Sequence, residues 1–412
     1  MPSKDKNKVP PSPLPSGENV LRRQAFSIII LMGIVSLCGD ITYEGARSIT
    51  GPFLATLGAS AAAVGLVAGA GEFLGYAIRL VTGYLADRTE RYWLFTTLGY
   101  GLILAIPFLA FAGNWPLAAG LIIIERLGKA IRSPARDTIL SYATQKVGRG
   151  LGFGIHEALD QIGAFAGPLI FTVVLFLHDG YRLGFKLLFI PGILVLVVLY
   201  FAWKKVPAPE KLEKPSPSSG VSDGKKLPRV FWLYTFFTLF SMAGFASFPL
   251  LAFHFQKHAL ISDAQIPLFY AVAMGVDAVA ALVIGKIYDR VGLVSLFSIP
   301  VFTVFIPWLG FSENPGLILV AIVLWGISMG IQETIMRAAI ADLIPMARRG
   351  LAYGIFNTAY GTAWLLGSGL MGIFYEHSIS YIIWFTVIME LASIPLLLSV
   401  QRSLAGEKIK SG

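Results

Sequence analysis

A single cysteine, Cys38, in 412 residues excludes a disulfide framework and any cysteine-built metal centre. Charge is scarce too: 14% of the chain is Asp, Glu, Lys or Arg, against about 25% in ordinary soluble domains. No GxxxxGK[ST] run occurs, so nothing cradles the phosphates of ATP to drive the protein. No HExxH occurs and no serine sits in a nucleophile motif, which argues against an enzyme, and no cofactor is expected. The first twenty residues are polar and proline-rich, with no apolar core leading to a cleavage site. No cleaved leader is expected, and the first apolar segment is expected to serve as an uncleaved insertion signal.

What is abundant is apolar sequence. Hydrophobic residues make up 55% of the chain, and the mean hydropathy is +0.70. Runs near the roughly 20 residues that cross a bilayer recur throughout. Twelve are counted: 26–56, 61–84, 92–112, 116–136, 149–177, 182–203, 230–256, 266–288, 293–311, 316–341, 350–374 and 379–400. The net charge of +9 does not point to nucleic acid, because the basic residues fall in alternate loops. Arg88 and Arg91, Lys146 and Arg149, Lys204 and Lys205, Lys286 and Arg290, and Arg348 and Arg349 lie on one side; the intervening turns hold few cations. That asymmetry places both termini and the long middle loop in the cytoplasm, and the inner membrane is the expected location.

The stretch 204–229 (KKVPAPEKLEKPSPSSGVSDGKK and its flanks) reads as a flexible linker. It divides the chain into a polar, disordered 1–24, a six-helix bundle 25–203, a second bundle 230–401 and a tail 402–412. The two bundles repeat one another. Gly83-Tyr-Leu-Ala-Asp87-Arg88 matches Gly285-Lys-Ile-Tyr-Asp289-Arg290, and Gly150-Leu-Gly-Phe-Gly154 matches Gly350-Leu-Ala-Tyr-Gly354, at spacings of 202 and 200 residues. Parallel halves of this kind imply a carrier with its substrate site at the midplane between them. A channel is a poorer fit, since channels are commonly symmetric oligomers; a monomer is expected here.

Several segments resemble the major facilitator superfamily over residues 25–400. Gly83 to Arg91 is similar to its helix 2–3 signature, with Glu90 where a glycine is usual. Gly163-Ala-Phe-Ala-Gly167-Pro168 resembles the helix 5 antiporter motif, without its trailing glycines. The run from Glu125 to Asp137, with His156, Glu157 and Asp160 downstream, resembles a drug/proton antiporter-like bacterial branch whose substrates are mostly unassigned. The resemblance implies an all-α membrane fold of twelve helices and proton-coupled export by alternating access. It also implies a gating latch of Gly83, Asp87, Arg88 and Arg136, repeated at Asp289 and Arg290, with Asp87 pairing with a helix N-terminus of the other half and with Arg136.

Charges inside apolar segments mark the candidate site, because each costs about 2.5–3.5 kcal/mol in hydrocarbon. Asp40, Glu44 and Arg47 share one face of helix 1. Two carboxyls so close cannot both carry charge cheaply, and proton coupling needs a carboxyl that loads and releases near neutral pH. Glu72 lies in helix 2; Glu125 and Arg126 are adjacent in helix 4 and so point about 100° apart. His156 and Asp160 share a face of helix 5, a spacing open to proton relay, gating or a transition metal, with no metal assigned. In the second half Asp277, Glu333, Asn357 and Tyr360 are the candidates, and Trp232, Tyr234, Phe237, Phe240, Phe245 and Trp364 are candidates for an apolar wall. The expected division is proton coupling in the first half and substrate recognition across both. Uptake or movement of a metal ion, metal chelate or organic anion is the alternative use of the same fold.

Overall fold

The computed structural model describes residues 16–178, 180–212, 227–344 and 348–411. The first half comprises α1 (Ser16–Arg47) continued by α2 (Thr50–Thr56), α3 (Ala61–Thr89), α4 (Tyr92–Gly101) continued by 3-10 turns to Phe111, α5 (Trp115–Val147), α6 (Arg149–Leu177), and α7 (Arg182–Leu187) with α8 (Phe189–Lys205). The second half comprises α9 (Arg229–Ala243) with α10 (Phe248–Lys257), α11 (Gln265–Val291), α12 (Ser298–Gly310), α13 (Pro315–Leu343), α14 (Arg349–His377) and α15 (Ile379–Ser411). Together they make twelve passes. Ser16, Ser411 and the described residues that flank 213–226 lie on one face, the linker face; the other is the far face.

Among the described residues nine spans are long and apolar enough to cross a membrane, one of them joining α11 to α12. The passes outside this set are α5, which carries Glu125, Arg126, Lys129 and Arg132 mid-helix, and α14. Phe176 is 81% exposed and Leu282 72% exposed. An outer surface of this kind suits lipid, because soluble monomers rarely expose broad apolar area.

Element ends follow local chemistry. Ser60, Asn114 and Asn314 cap α3, α5 and α13 on the far face by accepting from Ala63, Leu117 and Gly316 N–H groups at 3.2, 3.0 and 2.8 Å. The first pass breaks at Ser48, whose hydroxyl donates to the Gly45 carbonyl at 2.6 Å, and such bonds compete with the helical ladder. Gly148 joins α5 to α6 at φ 112°, a conformation that L side chains avoid. The expected linker starts with a 3-10 turn, Pro209–Leu212, and residues 213–226 lie outside the described set, as do 1–15 of the expected polar N-terminus. The chain is already helical at Ser16, and α15 runs beyond the boundary expected at 401, since no proline follows Pro395 to stop it.

The helix 5 motif is a packing device. A Cβ on Gly163 would meet the Leu37 carbonyl oxygen at 2.5 Å, and one on Gly167 the Ile41 carbonyl oxygen at 2.5 Å. Small residues four apart let α6 lie backbone-to-backbone on α1; Pro168 follows inside α6. The duplication reappears in space: Gly367, two hundred residues after Gly167, places α14 against the Ala243 carbonyl of α9, at 2.3 Å from a Cβ. Gly167→Leu is expected to lower stability by about 1–3 kcal/mol, read as an earlier unfolding midpoint in detergent.

The halves meet along α3–α14, α6–α11 and α2–α10. On the far face the approach is tight. A Cβ on Gly51 would fall inside contact distance of the Pro249 carbonyl, and the Ala62 N–H donates to Glu376 Oε1 at 3.0 Å.

Candidate functional site

A cavity of about 80 Å³ lies between the halves, room for a few water molecules. Helix periodicity builds its first-half wall. Asp40, Tyr43, Glu44 and Arg47 occupy one face of α1, because positions three, four and seven apart stack along a helix. From α3 come Glu72, Tyr76 and Arg79, from α5 Arg126 and Lys129, and from α6 Asp160 and Gln161. The second half supplies Met274 and Asp277 of α11, Met329 and Glu333 of α13, and Trp364 of α14.

Glu72 is the hub. Its Oε1 lies 3.0 Å from Arg47 Nη2 and 3.0 Å from Arg126 Nη1. Arg47 Nη1 is 3.6 Å from Glu44 Oε1 and donates to the Tyr43 hydroxyl at 3.2 Å. Arg126 also donates to the Tyr43 hydroxyl, and its guanidinium lies 4.5 Å from the centre of that ring. The network crosses the interface at Tyr270 of α11, which donates to Glu44 Oε2 at 2.5 Å. Three helices of one half are therefore tied by ion pairs between residues nine-tenths buried or more, and one helix of the other half joins them by a hydrogen bond. In low dielectric such pairs fix geometry strongly.

Of the residues singled out in the sequence, Asp40, Glu44, Arg47, Glu72, Arg126, Asp160, Asp277 and Glu333 share this cavity. Glu125 does not. It is 1% exposed, on the far side of α5, with Oε1 3.3 Å from Arg132 Nη2. Arg126 pairs with Glu72 rather than with Asp40 or Glu44, because α3 lies nearer its side of α5. His156 and Glu157 line a separate cleft of about 440 Å³ with Arg136 and Asp137. Among the described residues no group of three His, Cys, Asp or Glu side chains is placed to hold a metal ion. Asn357 and Tyr360 are not among the residues that line the cavity; the Tyr360 ring packs edge-on against Tyr76 at 4.9 Å.

The latch residues sit on the linker face. Asp87 accepts from Tyr92 in its own turn at 3.4 Å, and Arg88 donates to Tyr84 at 3.5 Å. Arg136, expected to pair with Asp87, instead donates to Asp137 at 2.9 Å and to Ser36 at 3.1 Å. Asp87 is at the exposed end of α3, whereas Arg136 is held against α1, so other partners are closer. Gly83 abuts Pro134 of α5, 3.4 Å from a Cβ; Asp289 and Arg290 are exposed. Of the expected aromatic wall only Trp364 reaches the cavity. Tyr234, Phe237 and Phe245 are fully buried within the second half, Phe240 is half-buried, and Trp232 is exposed.

Sequence reading missed Lys129, Tyr43, Tyr270 and Gln161 as site residues. It also passed over Glu390, fully buried in α15 beside the break between α9 and α10. Ser241 donates to Glu390 Oε2 at 3.2 Å, while Oε1 has no hydrogen-bond partner. A lone glutamate in the run IIWFTVIMELASIPLLL is a signal of the same kind as Glu72.

A twelve-pass helical bundle with a charged midplane cavity between pseudo-symmetric halves defines a membrane carrier. The chain belongs to the Major Facilitator Superfamily, whose model matches residues 32–368 and 261–411. It is 40% identical over 382 residues to an uncharacterized protein of Mycobacterium tuberculosis (strain ATCC 25618 / H37Rv), covering 92% of this chain and 93% of that one. An uncharacterized MFS-type transporter of Methanocaldococcus jannaschii is 27% identical over 374 residues, covering 86% and 90% of the two chains. The nucleoside transporter NupG shares the fold at a TM-score of 0.69 and 16% identity, covering 91% of this chain and 98% of its own. A peptide transporter in complex with alafosfalin does so at 0.70 and 14%, covering 92% and 97%.

Proposed function

We propose that the protein exports a small solute in exchange for protons, its halves rocking about the central cavity. The observation that carries this reading is the cavity's charge: six carboxyls and four basic groups line it. Ionisable side chains at membrane depth mark substrate and proton paths. Asp40, with no ion pair among the described residues, and Glu44, bonded across the interface, are the groups suited to pass protons. The linker face is the cytoplasmic one in this reading, by the excess of Lys and Arg on it. The cavity is complete within one chain, so a monomer suffices.

The test is proton movement in proteoliposomes holding a pH-sensitive dye, with an imposed proton gradient and a panel of small solutes. A solute that moves should release or consume protons in step, and Asp40→Asn or Glu44→Gln should uncouple or stop that flux. Solute flux indifferent to the gradient in either direction overturns proton coupling.

A further inference from the structure

We infer that the cavity is built for a small zwitterion, its cationic group held by Asp277 and Glu333 and its anionic group by Lys129. This rests on the carrier reading above and names the substrate class of that cavity.

The charge that remains after internal pairing is unevenly placed: acids alone on the second-half wall, and Lys129 together with acids on the first. Glu44 and Glu72 are engaged by Arg47, Arg126 and Tyr270. That network is self-satisfied and leaves little for a ligand. Asp277 and Glu333 have neither a hydrogen bond nor an ion pair among the described residues. They stand on adjacent helices, α11 and α13, and no described basic side chain of the second half lines the cavity. Gly330 allows this arrangement: a Cβ there would lie 2.9 Å from Asp277 Oδ1 and 2.7 Å from its carbonyl oxygen. Asp277 is buried and Glu333 half-buried, and carboxyls so withdrawn from bulk water cost free energy unless something cationic or protonic satisfies them. An ammonium group carries the donors to bridge both.

The opposite wall has the complementary group. Lys129 enters the cavity from α5 with its ammonium 4.1 Å from the centre of the Tyr43 ring. It forms no ion pair among the described residues, with Glu44 and Asp40 as its neighbouring acids, and it is the cavity cation placed to meet a ligand carboxylate or similar anion. Asp40 and Asp160 border the same wall and disfavour a ligand carrying only negative charge. The small volume selects a solute of amino-acid size.

The experiment is thermal unfolding of the full chain in detergent with three matched sets of small molecules. The zwitterions are alanine, β-alanine and γ-aminobutyrate; the amines are ethylamine and propylamine; the acids are propionate and butyrate. At least one zwitterion should raise the midpoint in a concentration-dependent way, with apparent affinity at least about tenfold above its matched amine and acid. Lys129→Gln should erase the preference for zwitterion over amine while Lys129→Arg keeps it, and Asp277→Asn with Glu333→Gln should erase the preference over acid. An amine or an acid that binds wild type as tightly as the zwitterion overturns the inference, as does the absence of stabilisation by every zwitterion. The two readings fail separately. An amine that binds and crosses proteoliposomes leaves the carrier standing and removes the zwitterion; a zwitterion that binds and never crosses does the reverse.

Discussion

Glu72→Gln is expected to cost about 3–5 kcal/mol of stability and to abolish transport. One oxygen of Glu72 lies 3.0 Å from each of two guanidinium groups, on α1 and α5. Without its charge, Arg47 and Arg126 face each other across a buried site with one neutral amide between them. Breaking one partner of a buried network is far more costly than never having built it, because the remaining ions stay desolvated and now repel. The double variant Glu72→Gln/Arg126→Gln is the control. It removes one cation with the anion and leaves Arg47 its pair with Glu44 at 3.6 Å. Much of the lost stability should return, and transport should not, because Arg126 also holds Tyr43 at the cavity wall. Unfolding in detergent separates the two effects from flux in proteoliposomes. A Glu72→Gln protein that unfolds like wild type would show that the triad does not hold the three helices together.

The residues legible in the sequence were those whose local context is improbable. A carboxylate alone in an apolar run, such as Asp40, Glu72 or Asp277, is visible because hydrocarbon makes charge expensive. The same logic applied to Glu390, which was overlooked because it sits late in a strongly apolar segment away from the charged first half. Partnership between helices was not legible. Arg126 meets Glu72 rather than an α1 carboxylate because of how α5 is rotated against α3, and rotation is a tertiary outcome. Lys129 lies among Glu125, Arg126 and Arg132, so it read as part of a charged run, although Glu125 and Arg132 turn to each other away from the cavity and only Arg126 shares it with Lys129. Tyr43 and Tyr270 are two of fifteen tyrosines and carry no charge to mark them. The passes themselves were legible from apolar length, but the breaks after Arg47 and Ala243 were not, since both interrupt apolar sequence without a run of turn residues.

Gly65→Leu, alone or with Gly69→Leu, is expected to stop the transport cycle by at least about tenfold while leaving each half folded. A Cβ at Gly65 would sit 2.2 Å from the Ser368 carbonyl oxygen, and one at Gly69 2.8 Å from the Leu365 Cα. From the other side, a Cβ at Gly372 would meet the Ala61 carbonyl at 2.6 Å. These are backbone atoms, so no side-chain rotation relieves the overlap; α3 and α14 must separate. Small residues four apart are what let two helices touch so closely in a membrane. This contact joins the halves rather than building either one, and packed interfaces of this sort switch between discrete arrangements. Forced apart here, the molecule should also lose the Ala62–Glu376 bond and rest with its far face open. Spin labels on cysteines introduced at the exposed positions Thr56 and Ser380, in a Cys38→Ser background, measure that opening as a longer distance. Gly167→Leu provides the contrast, because its overlap lies between α1 and α6 inside one half. It should lower the unfolding midpoint and leave the far-face distance unchanged. A Gly65→Leu protein with wild-type flux and an unchanged distance would mean that the α3–α14 contact is not the far-face seal.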